Sequence, residues 1–193
     1  MDLRDWIKVY EDVIPEELCQ KCIDIIDNAP KLQEFNRPWR KVDIYTTLDT
    51  LPEYQEVRTI VRNCFQNYKN EMLCPTLSFV KKIESPNIMR YNINDEERGD
   101  NFFNEHSDNW SMETASRQIS LILYLNDVEE GGSTTFTKLD KSVKPKKGSI
   151  LMFPSFYLYH HKGEAPISNN KYIIVVWLHF DGVGHKFRVG NLY

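Results

Sequence analysis

Apolar and polar positions alternate in two different rhythms along the chain, and the change falls near residue 76. Before it, Leu18, Cys19, Cys22, Ile25 and Ile26 recur at helical spacing behind Pro15-Glu16-Glu17, where a proline at the first turn and an acidic pair at the positive end of the dipole suit a helix start. Asn28-Ala29-Pro30 ends that helix. A second stripe runs Val57, Ile60, Val61, Cys64, Phe65, Tyr68 and Met72. It opens at Thr50-Leu51-Pro52-Glu53, which reads as a capping box, and closes before Pro75. Residues 1–13, with Trp6, Ile7, Val9 and Tyr10, read as a lead-in strand. Residues 30–41 are polar and read as irregular, and Val42–Tyr45 alternates as a strand.

Beyond residue 76 the apolar runs shorten and β-branched and aromatic residues dominate. The predicted strands are Leu77–Ile83, Ile88–Ile93, Phe102–His106, Ile119–Leu125, Thr134–Thr137, Ser142–Pro145, Ser149–Phe153, Tyr159–Lys162 and Tyr172–Phe180. Turn-forming stretches such as Glu84-Ser85-Pro86-Asn87, Glu129-Glu130-Gly131-Gly132 and Lys146-Lys147-Gly148 separate them. Many short, evenly spaced strands after two helices predict an α+β chain. Its core is a double-sheet jelly roll, with the N-terminal helices braced against one sheet. The expected organisation is one domain over 1–193: helical support in 1–75, jelly-roll core in 76–181 and a tail in 182–193.

Composition narrows the function classes. In 193 residues, a hydrophobic content of 41% with ten Phe, ten Tyr and four Trp supports a folded core. A net charge of -4 without a Lys/Arg stripe argues against nucleic acid as a partner. No apolar run is long enough for a transmembrane helix, and the charged start Met-Asp-Leu-Arg-Asp lacks the apolar centre of a signal peptide, so a soluble, cytosolic protein is expected. Cys19-Gln-Lys-Cys22 has the spacing of a zinc or redox pair. Both residues fall on the apolar face of the first helix, however, and no second pair exists, so buried structural thiols are expected.

The chemistry centres on Asn104-Glu105-His106-Ser107-Asp108-Asn109. His-x-Asp on extended backbone sends an imidazole and a carboxylate to the same side. Together with one distant histidine, that pair is what a facial two-histidine, one-carboxylate iron site requires. Alone, the tripeptide is a weak signal. His160 and His161 both stand in the right region, and at most one of two adjacent strand residues points into a barrel.

Ten residues past His161, Lys171 opens the apolar strand Tyr172–Trp177. His-x-Asp, a distant histidine and a base ten residues later resemble the iron(II)- and 2-oxoglutarate-dependent dioxygenases, in particular the prolyl 4-hydroxylase branch. The intervening Arg117–Phe136 segment, with Tyr124 and Gly131-Gly132, is similar to the core of that branch, and Pro145-Lys-Lys-Gly148 matches its Pro-x-x-Gly turn. The resemblance covers roughly residues 88–181 and, more loosely, the first helix.

By that resemblance His106, Asp108 and His161 are the iron ligands, His161 being preferred to His160 because the ten-residue gap to Lys171 matches the family. Lys171 would hold the far carboxylate of 2-oxoglutarate, since a buried dicarboxylate needs a cation. Tyr91 and Tyr124 would line the cosubstrate pocket, and Arg117 corresponds to a family arginine near the site. The implied cofactors are Fe(II), 2-oxoglutarate and O2, with ascorbate a further candidate. The implied reaction is hydroxylation of an unactivated C–H bond with release of succinate and carbon dioxide. Peptidyl proline is the expected substrate, with peptidyl lysine, a free amino acid or a small metabolite as rivals. A jelly-roll binding module without catalysis is the rival outside the enzyme class, and a zinc hydrolase is weaker because Glu105 should alternate away from the metal. Trp39, Trp110 and Tyr157, in or beside the segments Lys31–Lys41 and Asn109–Ser116, are the aromatic candidates for substrate contact.

Overall fold

The computed structural model of the chain describes residues 2–30, 32–38, 40–46, 48–93, 101–181 and 189–193. The predicted helices form as α1 (Glu16–Asp27) and α2 (Glu53–Met72). Leu18, Cys19, Cys22 and Ile26 of α1 and Val57, Val61, Cys64, Phe65, Tyr68 and Met72 of α2 are buried along one face each. The expected capping box at Thr50 does not form. Leu48–Thr50 is a 3-10 turn and Pro52 takes the cap position, where no side chain caps the helix.

The strands are β1 (Lys8–Tyr10), β2 (Gln33–Arg37), β3 (Arg40–Tyr45), β4 (Val80–Glu84), β5 (Asn87–Tyr91), β6 (Phe103–His106), β7 (Arg117–Tyr124), β8 (Thr134–Phe136), β9 (Lys141–Val143), β10 (Ile150–Pro154), β11 (His161–Gly163), β12 (Lys171–Phe180) and β13 (Val189–Asn191). They join antiparallel in the order β1-β10-β7-β12-β5-β3-β6-β11-β8-β9. In addition, β4 pairs β12 and β13, and β2 pairs β3. The sheet curls so that its β6-β11-β8-β9 part faces the β10-β7-β12-β5 part, a double-stranded β-helix or jelly roll with helices on the outer face, as the alternation predicts.

Period-two alternation explains both sides of the large layer. On β12, Ile173, Val175 and Trp177 point between the layers with Ile122 and Tyr124 of β7 and Leu151 and Phe153 of β10. The intervening Ile174, Val176 and Leu178 point out to the helices with Leu121, Leu123, Ile150 and Met152. The two clusters are the two cores, and each fully buried aliphatic side chain contributes about 1.5–3 kcal/mol. Because β7, β10 and β12 are covered on both faces, their sequences read as continuous apolar runs rather than strict alternation.

Three local expectations are corrected. Residues 33–37, expected to be irregular, pair with β3 as an exposed hairpin strand whose polar sequence carries no alternation signal. Leu77–Ile83 splits into a 3-10 turn at Pro75–Phe79 and β4, because the proline starts a turn rather than a strand. Tyr157–Tyr159 is also a 3-10 turn, so β11 begins only at His161. Beyond residue 181, β13 returns to pair β4. Among the described residues no helix is long and apolar enough to cross a membrane.

Candidate functional site

His106 is the last residue of β6 and His161 the first of β11, and the two are directly opposite each other in the antiparallel register. Their ring centroids are 4.4 Å apart. Asp108 lies just past β6, in a turn held by hydrogen bonds from the Asp108 and Asn109 N–H groups to the Ser155 carbonyl, 3.1 and 3.2 Å. Its carboxylate oxygens stand 3.6 Å from His106 Nε2 and 3.8 Å from His161 Nε2, longer than hydrogen bonds. One ligand atom from each of the three residues lies within 4.8 Å of the others, the one such group found among the described residues.

The surrounding contacts orient these groups. His106 Nδ1 lies 2.7 Å from the Asn104 carbonyl and His161 Nδ1 lies 3.1 Å from the Tyr159 carbonyl. A carbonyl only accepts, so each Nδ1–H donates and each Nε2 keeps its lone pair for an ion. Ser120 Oγ donates to Asp108 Oδ2 at 2.6 Å and sits 2.8 Å from Ser155 Oγ. Phe103 stacks on the His106 ring, and Phe153 meets the His161 ring edge-on. Burial pushes His161 down to about 4, helped by the neighbouring His106. Burial alone would raise the Asp108 carboxyl, but His161, His106 and the Ser120 hydroxyl outweigh it and hold the group well below the usual carboxylate range. Neutral imidazole and ionised carboxylate are the forms that bind metal.

Lys171 opens β12 and is 0% exposed. Its ammonium donates to the Gly132 carbonyl at 2.6 Å and lies 4.7 Å from the centre of the Tyr91 ring. Among the described residues no carboxylate is within ion-pairing distance of it, and burial pushes its pKa down to about 7 against a weaker upward pull from Glu164. The Gly132 carbonyl is presented by a turn in which Gly131 and Gly132 have φ of +71° and +70°. A Cβ on Gly131 would fall 2.4 Å from the Ala165 carbonyl oxygen, so the turn requires glycine there. Tyr91 pairs with Lys171 across the strands, and Tyr124 donates to Thr134 Oγ1 at 2.8 Å. Thr134, Ser120 and Ser155 carried no signal in the sequence, being small polar residues among strand residues.

His106, Asp108, His161, Tyr91, Thr134, Lys171, Arg117 and Trp110 all line one cavity of about 800 Å³. His160 points away from it, 3.1 Å from Lys138 Nζ and 3.7 Å from Glu105 on the outer face. Trp110 is at the cavity rim and 75% exposed, and Tyr157 is exposed. Trp39 and His185 lie outside the described residues. Arg117 is clamped by Glu84 through two hydrogen bonds, 2.9 and 2.6 Å, and donates at 3.3 Å to the Asp108 carbonyl. His179, near the end of β12, is fully buried and bonds Glu84 at 2.9 Å. The CxxC thiols lie apart from the cavity lining, and burial pushes Cys22 up to about 12.

Comparison with known proteins places this geometry in context. Residues 87–179 match the model of the 2OG-Fe(II) oxygenase superfamily. Over 82 residues the chain is 34% identical to prolyl 4-hydroxylase subunit alpha-1 of Gallus gallus, a match covering 39% of this chain and only 16% of that relative. A prolyl-4-hydroxylase from Pseudomonas putida shares the fold with a TM-score of 0.71 at 16% identity, over 92% of this chain and 94% of that one. The viral collagen prolyl hydroxylase of Paramecium Bursaria Chlorella virus-1, solved with 2OG, gives 0.65 at 19% identity, over 91% and 96%. A Trichoplax adhaerens prolyl hydroxylase, solved with a hypoxia inducible factor peptide fragment, gives 0.67 at 13% identity, over 92% and 84%.

Proposed function

We propose that the chain, whose residues 87–179 match the model of the 2OG-Fe(II) oxygenase superfamily, is an Fe(II)- and 2-oxoglutarate-dependent dioxygenase that hydroxylates peptidyl proline. The observation that carries this reading is the pairing, in one cavity, of a two-imidazole, one-carboxylate donor set with a buried lysine that has no counter-charge among the described residues. The donor set fits iron: three ligands of this type leave coordination positions open for a cosubstrate and dioxygen. The lysine fits the other end of a dicarboxylate, which would supply the missing anion.

On this reading His106, Asp108 and His161 hold the metal, and Lys171 fixes the distal carboxylate of 2-oxoglutarate with Tyr91 and Tyr124 beside it. When bound, the iron supplies dioxygen activation coupled to conversion of 2-oxoglutarate to succinate and carbon dioxide, with ascorbate as a candidate reductant. The protein's own part is orientation and water exclusion. The two backbone carbonyls fix the imidazole tautomers, Ser120 fixes the carboxylate rotamer, and the aromatic walls keep the cavity apolar. Support for proline comes from the prolyl hydroxylases that the chain resembles and from the aromatic Trp110 at the mouth.

The test is anaerobic titration with Fe(II) and 2-oxoglutarate, watching the metal-to-ligand charge-transfer band. The parent protein should show it, and Asp108→Ala should weaken metal binding by more than about a hundredfold. A band of equal strength in that variant rejects the ligand set. Succinate release stimulated by proline peptides then tests the substrate.

A further inference from the structure

The hydrogen-bonded order of the sheet leads from Lys171 to the donor cluster through β3. Lys171 on β12 pairs with Tyr91 on β5, β5 pairs with β3, and β3 pairs with β6, whose last residue is His106. Strand β3 therefore sits between the buried lysine and the metal-binding set. Its side chains alternate. Val42 and Ile44 belong to the core between the layers, and Ile44 lines the cavity. Asp43 points to the outer face with Arg90 of β5, its partner in the register.

Both ends of β3 are gripped. Asp43 is 2% exposed, and its Oδ2 accepts from Arg90 Nη2 at 2.9 Å, Arg90 Nε at 3.3 Å and Asn92 Nδ2 at 2.7 Å. Arg90 reaches on with Nη1 to Asp27 at the end of α1, 2.9 Å, and Asp27 also accepts from the Tyr172 hydroxyl at 3.0 and 3.1 Å. Arg90 and Tyr172 face each other in the register, each one residue along its strand from Tyr91 and Lys171. The clasp thus fastens β3 to the strand positions that carry the buried lysine and its tyrosine. At the other end, Arg40 lies over the Phe103 ring, 5.1 Å from its centre, and Phe103 stacks on His106 at 3.9 Å. The Lys41 N–H donates to the Phe102 carbonyl at 2.9 Å.

Ion pairs taken out of water contribute little to stability next to apolar packing, so stability is a weak reason for a charged clasp at this place. Its placement does fix a length. A 2-oxo dicarboxylic acid held by the metal at its oxo end and by Lys171 at its far carboxylate meets both only when the span between them matches its carbon chain. A mismatch of one methylene costs strain or the ion pair. We propose that Asp43 and Arg90 are positioning residues that set the span between Lys171 and the His106–Asp108–His161 cluster, and so select the chain length of the 2-oxo acid. The inference deepens the dioxygenase reading and rests on it.

The test loads the protein with Fe(II) without oxygen and measures binding by calorimetry. The probes are 2-oxoglutarate, oxaloacetate, which is one carbon shorter, 2-oxoadipate, which is one carbon longer, and pyruvate, which has no far carboxylate. The parent should bind 2-oxoglutarate about tenfold or more tighter than either neighbour. Asp43→Asn keeps the shape and removes the charge. It should weaken 2-oxoglutarate about tenfold, cut its advantage over the better neighbour to about twofold, and leave pyruvate within about twofold of the parent. Arg90→Lys, which keeps the charge, should retain much of the preference that Arg90→Gln loses. A merely structural clasp would lower the unfolding temperature and leave the ratios as they are. Unchanged ratios in the folded variants, a parallel loss for all the acids, or a parent that does not distinguish the dicarboxylates overturns the inference and leaves the dioxygenase reading standing. If Asp43→Asn does not fold, the two Arg90 variants decide. Absence of 2-oxoglutarate binding to the Fe(II)-loaded parent overturns that reading, and the inference with it.

Discussion

Among the described residues two buried cations line the cavity, Arg117 and Lys171, and they are treated in opposite ways. Arg117 is held by a carboxylate on one side and a main-chain carbonyl on another. Lys171 has one carbonyl and the faces of two tyrosines. A buried charge with its partner built in belongs to the scaffold, because the pair is complete before any ligand arrives. A buried charge without one is held at a cost to stability that a bound anion would relieve. On the proposed reading the difference gives the two ends of the cavity different work: shape and register at Arg117, anion capture at Lys171.

The largest expected effect comes from breaking the completed pair. Glu84→Ala leaves the guanidinium buried without its carboxylate and removes the partner of His179, so it should destabilise the fold by about 3–5 kcal/mol. Thermal or denaturant unfolding reads this directly, and a loss below about 1 kcal/mol would mean the pair is solvated rather than structural. At the other end the sign is reversed. Lys171→Met should weaken 2-oxoglutarate binding roughly a hundredfold while raising stability of the unliganded protein by on the order of 2 kcal/mol, because it removes a charge that burial disfavours. A variant that lost both binding and stability would show that Lys171 is scaffold too, and the contrast would fail.

Neither role was fully legible in the chain. The apolar run Tyr172–Trp177 announced a strand buried on both faces, and the helical stripes announced α1 and α2, because burial writes itself into periodicity. The cluster of His106, Asp108 and His161 was anticipated through the family resemblance: His-x-Asp alone is a weak signal, and preferring His161 to His160 turned on a gap to Lys171 that matches the family. The Glu84–Arg117–His179 network was not. Glu84 lies 33 residues from Arg117 and 95 from His179, and polar pairs formed at that separation leave no local pattern. Lysine at a strand start reads as exposed, so its burial is visible only once β5, β7 and the Gly131-Gly132 turn close around it. Strand β2 escaped because an exposed strand with polar residues on both faces has no apolar side to show, while its partner β3 was visible through Val42–Tyr45.

Lys171 also makes the contrast testable by pH alone. Its folded-state pKa of about 7 lies below the ordinary 10.5 of an unfolded lysine, so between those values the unfolded chain binds more protons than the folded one. This contribution to stability therefore rises as pH goes from 7 to 10.5, by up to tenfold in the folding equilibrium per pH unit, and is flat below 7. Anion binding runs the other way. It needs the ammonium, so 2-oxoglutarate affinity should be level below about pH 7 and fall about tenfold per unit above it, until the lysine of the complex itself titrates. Measuring affinity and unfolding in parallel from pH 6 to 9 should give opposite slopes in the parent and neither slope in Lys171→Met. Matching slopes in parent and variant would place the titration elsewhere.

The smallest expected effects come from removing one neutral hydrogen bond at each end. Thr134→Val takes away the acceptor for the Tyr124 hydroxyl beside Lys171, and Ser116→Ala takes away the group that bonds His179 Nδ1 behind Glu84. Each bond contributes about 1 kcal/mol, but to different quantities. At the Lys171 end the freed phenol can turn to the bound carboxylate or to water, so Thr134→Val should shift 2-oxoglutarate affinity by no more than about fivefold with little change in unfolding. At the Arg117 end the pairing is internal to the fold. Ser116→Ala should therefore lower stability by about 1 kcal/mol and leave 2-oxoglutarate affinity within twofold. If the two variants moved the same quantity, the cavity would be one continuous polar network, and the division between a capturing end and a structural end would not hold.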